Sequence, residues 1–152
     1  MKKILQKILS LQGTPYAIAA GVACGVAISF TPFVGAHMIL AAFTAWLIGG
    51  NIIGSALGTL VGNPWTFPFI WPAIWETGKH ILSSSYDVQQ NANFDLFFKQ
   101  IYSAIKNLDF SLFFSDVWPI LLPMIVGCIP FYLASWMLSY IGLYHYLKKV
   151  KK

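Results

Sequence analysis

The sequence predicts an all-α integral membrane protein of short, broken transmembrane or re-entrant helices, with an amphipathic helix between two apolar regions. Three observations predict it. Hydrophobic residues make up 57% of the 152 and charged residues only 10%, with a mean hydropathy of +0.66; a soluble domain carries about 25% charged residues. No residue from Ile8 to Trp75 bears a formal charge. Gly50, Gly54, Gly58 and Gly62 recur at every fourth position and run straight into Asn63-Pro64-Trp65-Thr66-Phe67-Pro68. Glycine costs about 1 kcal/mol against alanine in a helix in water. In lipid, glycines four apart leave a groove in which a second backbone can lie close. The ladder covers roughly 20 Å of helix before the proline, short of the ~30 Å hydrocarbon core. The break therefore falls at membrane depth, where irregular backbone is tolerated only inside protein or beside water.

The chain reads as a single membrane domain over 1–152. Residues 1–13 hold a basic interfacial helix: Ile4, Leu5, Ile8 and Leu9 share one face and lysines the other. Residues 14–82 form a broken-helix core, interrupted at Thr31-Pro32 and Asn63-Pro64. Residues 15–30 and 33–49 each sit near the lower limit of a span, so they are two crossings or two arms of a re-entrant hairpin. A helix over about 65–82 carries Trp65, Trp71 and Trp75, the residue type that favours the membrane boundary. Residues 83–116 are a polar interlude: a loop from Ser83 to Asn93, then Phe94, Phe97, Phe98, Ile101, Ile105 and Leu108 at helical spacing opposite Lys99 and Lys106. Residues 117–147 are a second uncharged run, punctuated by Pro119, Pro123, Gly127 and Pro130, for which a kink, a strong tilt or a hairpin is expected. A basic tail, 148–152, closes the chain.

All ten basic residues are lysine, which argues against arginine-fork recognition of phosphate or nucleic acid. No nucleic-acid partner is expected. Seven lysines sit at the two ends, Lys2, Lys3, Lys7, Lys148, Lys149, Lys151 and Lys152, which places both termini in the cytoplasm beside anionic lipid. Cys24 and Cys128 lie within apolar runs and read as small buried hydrophobes. There is no zinc spacing, no phosphate-binding glycine loop with a lysine, and no nucleophile beside a base. No catalytic residue, metal or cofactor is expected.

Thr and Asn are good N-caps and proline suits the first helical position, so Thr31-Pro32 and Asn63-Pro64 each read as a helix start. Helix starts present N–H groups and partial positive charge. Two of them meeting near the midplane would hold an anion without arginine, as half-helices do in transporters. The plainer reading is a pair of tight turns between packed helices. Between Lys7 and Glu76, His37 is the only residue of the type that titrates near neutral pH. It is a functional candidate or a neutral ring bonded to a carbonyl. Glu76, Lys79 and His80 share a helix face and read as an interfacial salt bridge or as a rim for a charged ligand.

Gly21-Val22-Ala23-Cys24-Gly25, Phe30-Thr31-Pro32-Phe33-Val34-Gly35-Ala36-His37, Gly58-Thr59 and Asn63-Pro64-Trp65-Thr66-Phe67-Pro68 resemble the bacterial membrane family called domain of unknown function 2062. The resemblance covers roughly residues 10–145. The family pattern falls on Phe30, Pro32, Gly35, His37, Asn63, Pro64, Thr66 and Pro68. It implies a multi-pass bacterial inner-membrane protein, some of whose relatives are joined to enzyme domains of envelope biosynthesis, and no established activity.

Two functions are expected from these features. One is a small transporter or lipid translocase. It would hold an anionic lipid or small anion at Thr31, Pro32, Gly35, His37, Asn63, Pro64, Thr66 and Pro68. The other is a non-transporting accessory or assembly protein of the envelope. Its ladder of Gly50, Gly54, Gly58 and Gly62 would pack on a partner or on a second copy.

Overall fold

The structure is a computed structural model and describes residues 2–33, 35–82, 94–107, 111 and 113–150. Among the described residues seven α-helices run in order: α1 (Lys2–Leu9), α2 (Pro15–Ile28), α3 (His37–Leu47), α4 (Ile52–Gly58), α5 (Phe67–Leu82), α6 (Phe94–Asn107) and α7 (Trp118–Val150). A 3₁₀ turn, Thr59–Val61, extends α4, and a π turn, Phe113–Val117, leads into α7. There are no strands among the described residues. Among the described residues one helical stretch, Phe114–Val150, is long and apolar enough to cross a membrane by length and composition. The apolar helices Pro15–Ile28, His37–Leu47 and Ile52–Val61 are shorter. The expected loop from Ser83 to Asn93, Leu108, and the tail lysines Lys151 and Lys152 lie outside the described residues.

Two compact units make up the chain: residues Met1–Ile70 with Pro130–Lys152, and residues Trp71–Ile129. The first is organised around α2. Thr14 Oγ1 accepts from Ala17 N at 3.1 Å with Pro15 at the first turn, an N-cap that starts the helix. From Ile18 to Ile28 every residue but Val26 is buried, because neighbours cover α2 on all sides. α3 runs back and α4 then runs parallel to α2. That direction follows from the pairing of the two helices: Ile18 meets Gly54, Gly25 meets Ser55 and Gly58, and Ser29 meets Gly62.

The α2–α4 contact is backbone on backbone. A Cβ added at Gly21 would overlap the Asn51 carbonyl, one at Gly25 the Ser55 carbonyl, and one at Gly58 the Val22 carbonyl. Gly50 and Gly62 lie just outside α4, in the turns before and after it, so the ladder is longer than its helix. All four of its glycines face α2. Asn51 fixes the register. Its N–H donates to Ala17 O at 2.7 Å, its Oδ1 accepts from Gly54 N at 2.7 Å and its Nδ2 donates to Gln12 O at 3.0 Å. α3 ends at Gly49, whose φ of +69° suits glycine, and Gly50 N donates back to Ala45 O at 2.7 Å.

The last turns of α7 complete this unit. Ile8, Ile18, Ala19, Val22 and Leu147 form one core, with Tyr140, Leu143 and Tyr144 packed against it. Tyr140 stacks on Trp136 at 5.1 Å and on Tyr144 at 5.5 Å along one helix face.

In the second unit, α5 and α7 cross where Gly78 meets Pro123 and Gly127 meets Ile74, again backbone against backbone. Ile74, Phe97, Val117 and Met124 are buried. α6 has the expected two faces where its side chains are described: Phe97 inside, Lys99 and Lys106 outside. α7 is one helix from Trp118 to Val150 through the three prolines of residues 117–147, so of the expected kink, strong tilt or hairpin the hairpin does not form.

The seam gives a test of stability. Gly58→Ala is expected to destabilise the protein by roughly 1–3 kcal/mol, because the new methyl must displace the Val22 carbonyl. Gly142→Ala, where nothing lies within 4 Å, is expected to be neutral or to stabilise by about 0.5–1 kcal/mol. Thermal melting of both variants in detergent checks the contrast.

Candidate functional site

The α2–α4 pair has two chemically different ends, and most of the sequence-singled residues sit at one of them. Ser29 closes α2 by donating from Oγ to Gly25 O at 2.9 Å and, more weakly, to Thr59 O at 3.4 Å. The Gly62 backbone approaches the Ser29 side chain directly. The segments around Thr31 and Asn63 are thereby brought to the same end of the pair.

Their roles differ from the two expected helix starts. Thr31 is buried and its Oγ1 donates to Ile28 O at 2.7 Å, so it finishes α2. Pro32, also buried, stops the chain from continuing as helix. The next helix begins only at His37, with Ala36 in the cap position and no side-chain cap bond. Thr31-Pro32 is thus a helix stop, because a hydroxyl can serve the last carbonyls of a helix as well as the first N–H groups of one. Gly35 makes the turn between, at φ +87° and exposed.

Asn63-Pro64 does open a helix. Asn63 Oδ1 accepts from Trp65 N at 2.9 Å and Thr66 N at 3.2 Å, and Asn63 O accepts from Phe67 N at 3.1 Å. Thr66 Oγ1 accepts from Asn63 N at 3.0 Å and donates to Val61 O at 2.7 Å. This is a reciprocal capping box with proline at its first position, where no N–H is needed. The consequence is chemical: the first free N–H groups of α5 are already used by Asn63. The helix start therefore does not offer the bare donors expected of an anion site. Pro68 is exposed one turn further on.

The His37 ring is part-buried and, among the described residues, its Nδ1 is buried without a hydrogen-bond partner, as is Trp75 Nε1 in the second unit. A buried polar atom in that state is uncommon and needs a reason. Glu76, Lys79 and His80 belong to the second unit. Lys79 Nζ pairs with Glu76 Oε1 at 2.9 Å and lies 4.4 Å from the centre of the Trp75 ring, while His80 is exposed. Among the described residues no cluster of His, Cys, Asp and Glu could hold a metal ion.

The first unit also carries a groove of about 280 Å³ lined by Cys24, Thr44, Leu47, Ile48, Tyr132, Leu133 and Trp136. Neither Thr31, Asn63 nor Thr66 lines it. The sequence reading missed this groove, the hub at Asn51, and the second ladder of Ala17, Gly21, Gly25 and Ser29 on α2. The ladder and the Trp136-Tyr140-Tyr144 wall each had a signal, a spacing of four. Asn51 had one too: an Asn after Gly49-Gly50 and before an apolar run is a helix stop followed by a helix start.

The caps can be weighed against each other. Asn63→Ala is expected to cost about 1 kcal/mol, the usual effect of losing an N-cap. Asn51→Ala is expected to cost more, roughly 2 kcal/mol, since it also removes the side-chain bond from Nδ2 to Gln12 O. Equal melting temperatures for the two variants would contradict the hub role of Asn51.

No curated protein and no solved structure matches the chain. The family model described as an uncharacterized protein conserved in bacteria (DUF2062) matches residues 1–152. The chain, with its helix stop at Thr31-Pro32 and its helix start at Asn63-Pro64, belongs to that family.

Proposed function

We propose that this is an integral protein of the bacterial inner membrane, of the transporter or lipid-translocase kind, acting on an anionic lipid. The observation that carries the membrane reading is the composition of α3. It buries Ala41 and Ala45 and exposes Ile39 (73%), Trp46 (63%), Phe43 and Met38. Inside the same unit Ser29, Thr31, Ser55 and Thr59 are buried. Large apolar groups outside and small or hydroxyl groups inside suit a protein whose solvent is hydrocarbon. In water an apolar patch of this kind marks an interface.

α2 and α3 are about 21 and 16 Å long, too short for a ~30 Å core. They form a re-entrant hairpin that enters and leaves by one side, and α7 makes a full crossing. Ile8 and Leu147 share one core, which supports placing both lysine-rich ends on the same, cytoplasmic side. The end that holds Thr31, His37, Asn63 and Thr66 then lies roughly 20 Å deep. An unbonded histidine nitrogen there calls for water or a polar substrate group, and His37 takes or gives a proton as that group passes. The accessory reading has a surface too. Because α2 covers the glycine ladder, a partner would dock on the outer face of α3.

Reconstitution separates the two. Vesicles containing the protein are expected to move a fluorescent phosphatidylglycerol across the bilayer at least about tenfold faster than empty vesicles. His37→Ala is expected to bring this rate down to near that of empty vesicles, a lost general acid or base being worth about 100-fold. Wild-type vesicles no faster than empty ones would remove the transport reading and leave the accessory one.

A further inference from the structure

We propose that the first unit holds one anionic phospholipid, its phosphate at the lysines of α1 and α7 and one acyl chain in the groove beside Trp136. The proposal rests on the membrane-embedded part of the reading above and is independent of transport.

The charge comes first. α1 and the last turns of α7 meet in the Ile8–Leu147 core, and the neighbouring residues Lys7, Lys148 and Lys149 are exposed. Residues 1–70 and 130–152 contain no Asp or Glu, so this unit supplies no carboxylate to neutralise them. Clustered ammonium groups beside apolar helices attract acidic headgroups.

The groove supplies the other half. Leu47, Ile48 and Leu133 give it apolar walls. The Thr44 hydroxyl is already used within its own helix, donating to Leu40 O at 2.9 Å. At about 280 Å³ the space falls just under the ~300–1,000 Å³ of drug-sized pockets and suits a single chain. An aromatic wall joins groove to lysines. Trp136 lines the groove and stacks on Tyr140, and Tyr140 stacks on Tyr144, beside Leu147. Tyr16 braces it, donating from its hydroxyl to Ile48 O at 2.9 Å and meeting the Tyr140 ring edge-on at 6.1 Å. From Trp136 to Lys148 the helix rises roughly 18 Å. One leaflet with its headgroups is about 20–22 Å deep, half of the ~40–45 Å bilayer. A lipid with its phosphate at the lysines therefore reaches the groove with its chain.

The test is lipid binding to the purified protein in detergent, read by native mass spectrometry. Wild type is expected to retain one dioleoyl phosphatidylglycerol, held about tenfold or more above dioleoyl phosphatidylcholine. The triple variant Lys7→Gln, Lys148→Gln, Lys149→Gln is expected to lose that preference and keep its weak phosphatidylcholine binding. Glycerophosphoglycerol, a headgroup without chains, is expected not to compete. In a second measurement, phosphatidylglycerol with brominated chains is expected to quench tryptophan fluorescence, and Trp136→Phe to remove most of the quenched fraction. Equal binding of the two lipids by wild type, an unchanged preference in the triple variant, competition by the bare headgroup, or quenching that survives Trp136→Phe would each overturn the proposal. Vesicles that fail to move lipid would leave this binding result standing, so the two failures are distinguishable.

Discussion

The fold depends on one contact, the parallel packing of α2 on α4 with carbonyls set directly against glycines. Gly21 and Gly25 on one helix and Gly54 and Gly58 on the other are all helical and all at this seam. Relative to alanine they cost roughly 4 kcal/mol together in propensity. That cost is tolerable only because the alternative is worse: a methyl at Gly21, Gly25 or Gly58 would occupy the space of a neighbouring carbonyl. Close approach then multiplies weak dispersion contacts along two helix turns. The position of α3 follows, since only alanines, Ala41 and Ala45, fit on its inner side.

The seam also decides what the polar residues can do. With the backbones this close, hydroxyls and amides at the helix ends have few places to go but their own chain. Ser29, Thr31, Ser55, Thr59 and Thr66 all donate to carbonyls three to five residues back. Asn63 spends its Oδ1 on two N–H groups of its own turn. A motif of cap residues thus marks a place where helices change direction, and what remains unspent there is the His37 ring nitrogen. The chemistry of that end, on the reading proposed, belongs to the His37 ring.

Much of this was legible in the residues. Composition and the glycine spacing identified a helical chain with close-packed helices, and Asn63-Pro64, expected to start a helix, lies in the turn that leads into α5. Thr31-Pro32 was read with the wrong polarity because Thr-Pro has the same composition at both ends of a helix. Only the five residues before His37, with Gly35 in a left-handed turn, show that no helix follows at once. The choice among a kink, a tilt and a hairpin over residues 117–147 was open for a related reason. Proline breaks a helix by losing an N–H bond and crowding the preceding turn, and periodicity alone does not say where neighbours hold the helix together regardless. The groove was invisible because its walls come from α2, α3 and α7, which no local pattern connects.

The two ends of the α2–α4 pair finally explain each other. At one end Asn51, Tyr16 and the aromatic stack lock the helix termini together, and exposed lysines surround them. At the other, α2 and α4 simply stop, their carbonyls served by hydroxyls. In lipid an assembly of this kind has a unique orientation, because lysines held at the headgroups leave the uncharged end nowhere to go but inward. On the reading proposed, the depth of His37 is set by the length of α2 and by the basic end some 20 Å away. Lengthening α2 would move the histidine as surely as replacing it. Its fourteen residues and its four-residue ladder are in this sense part of the site.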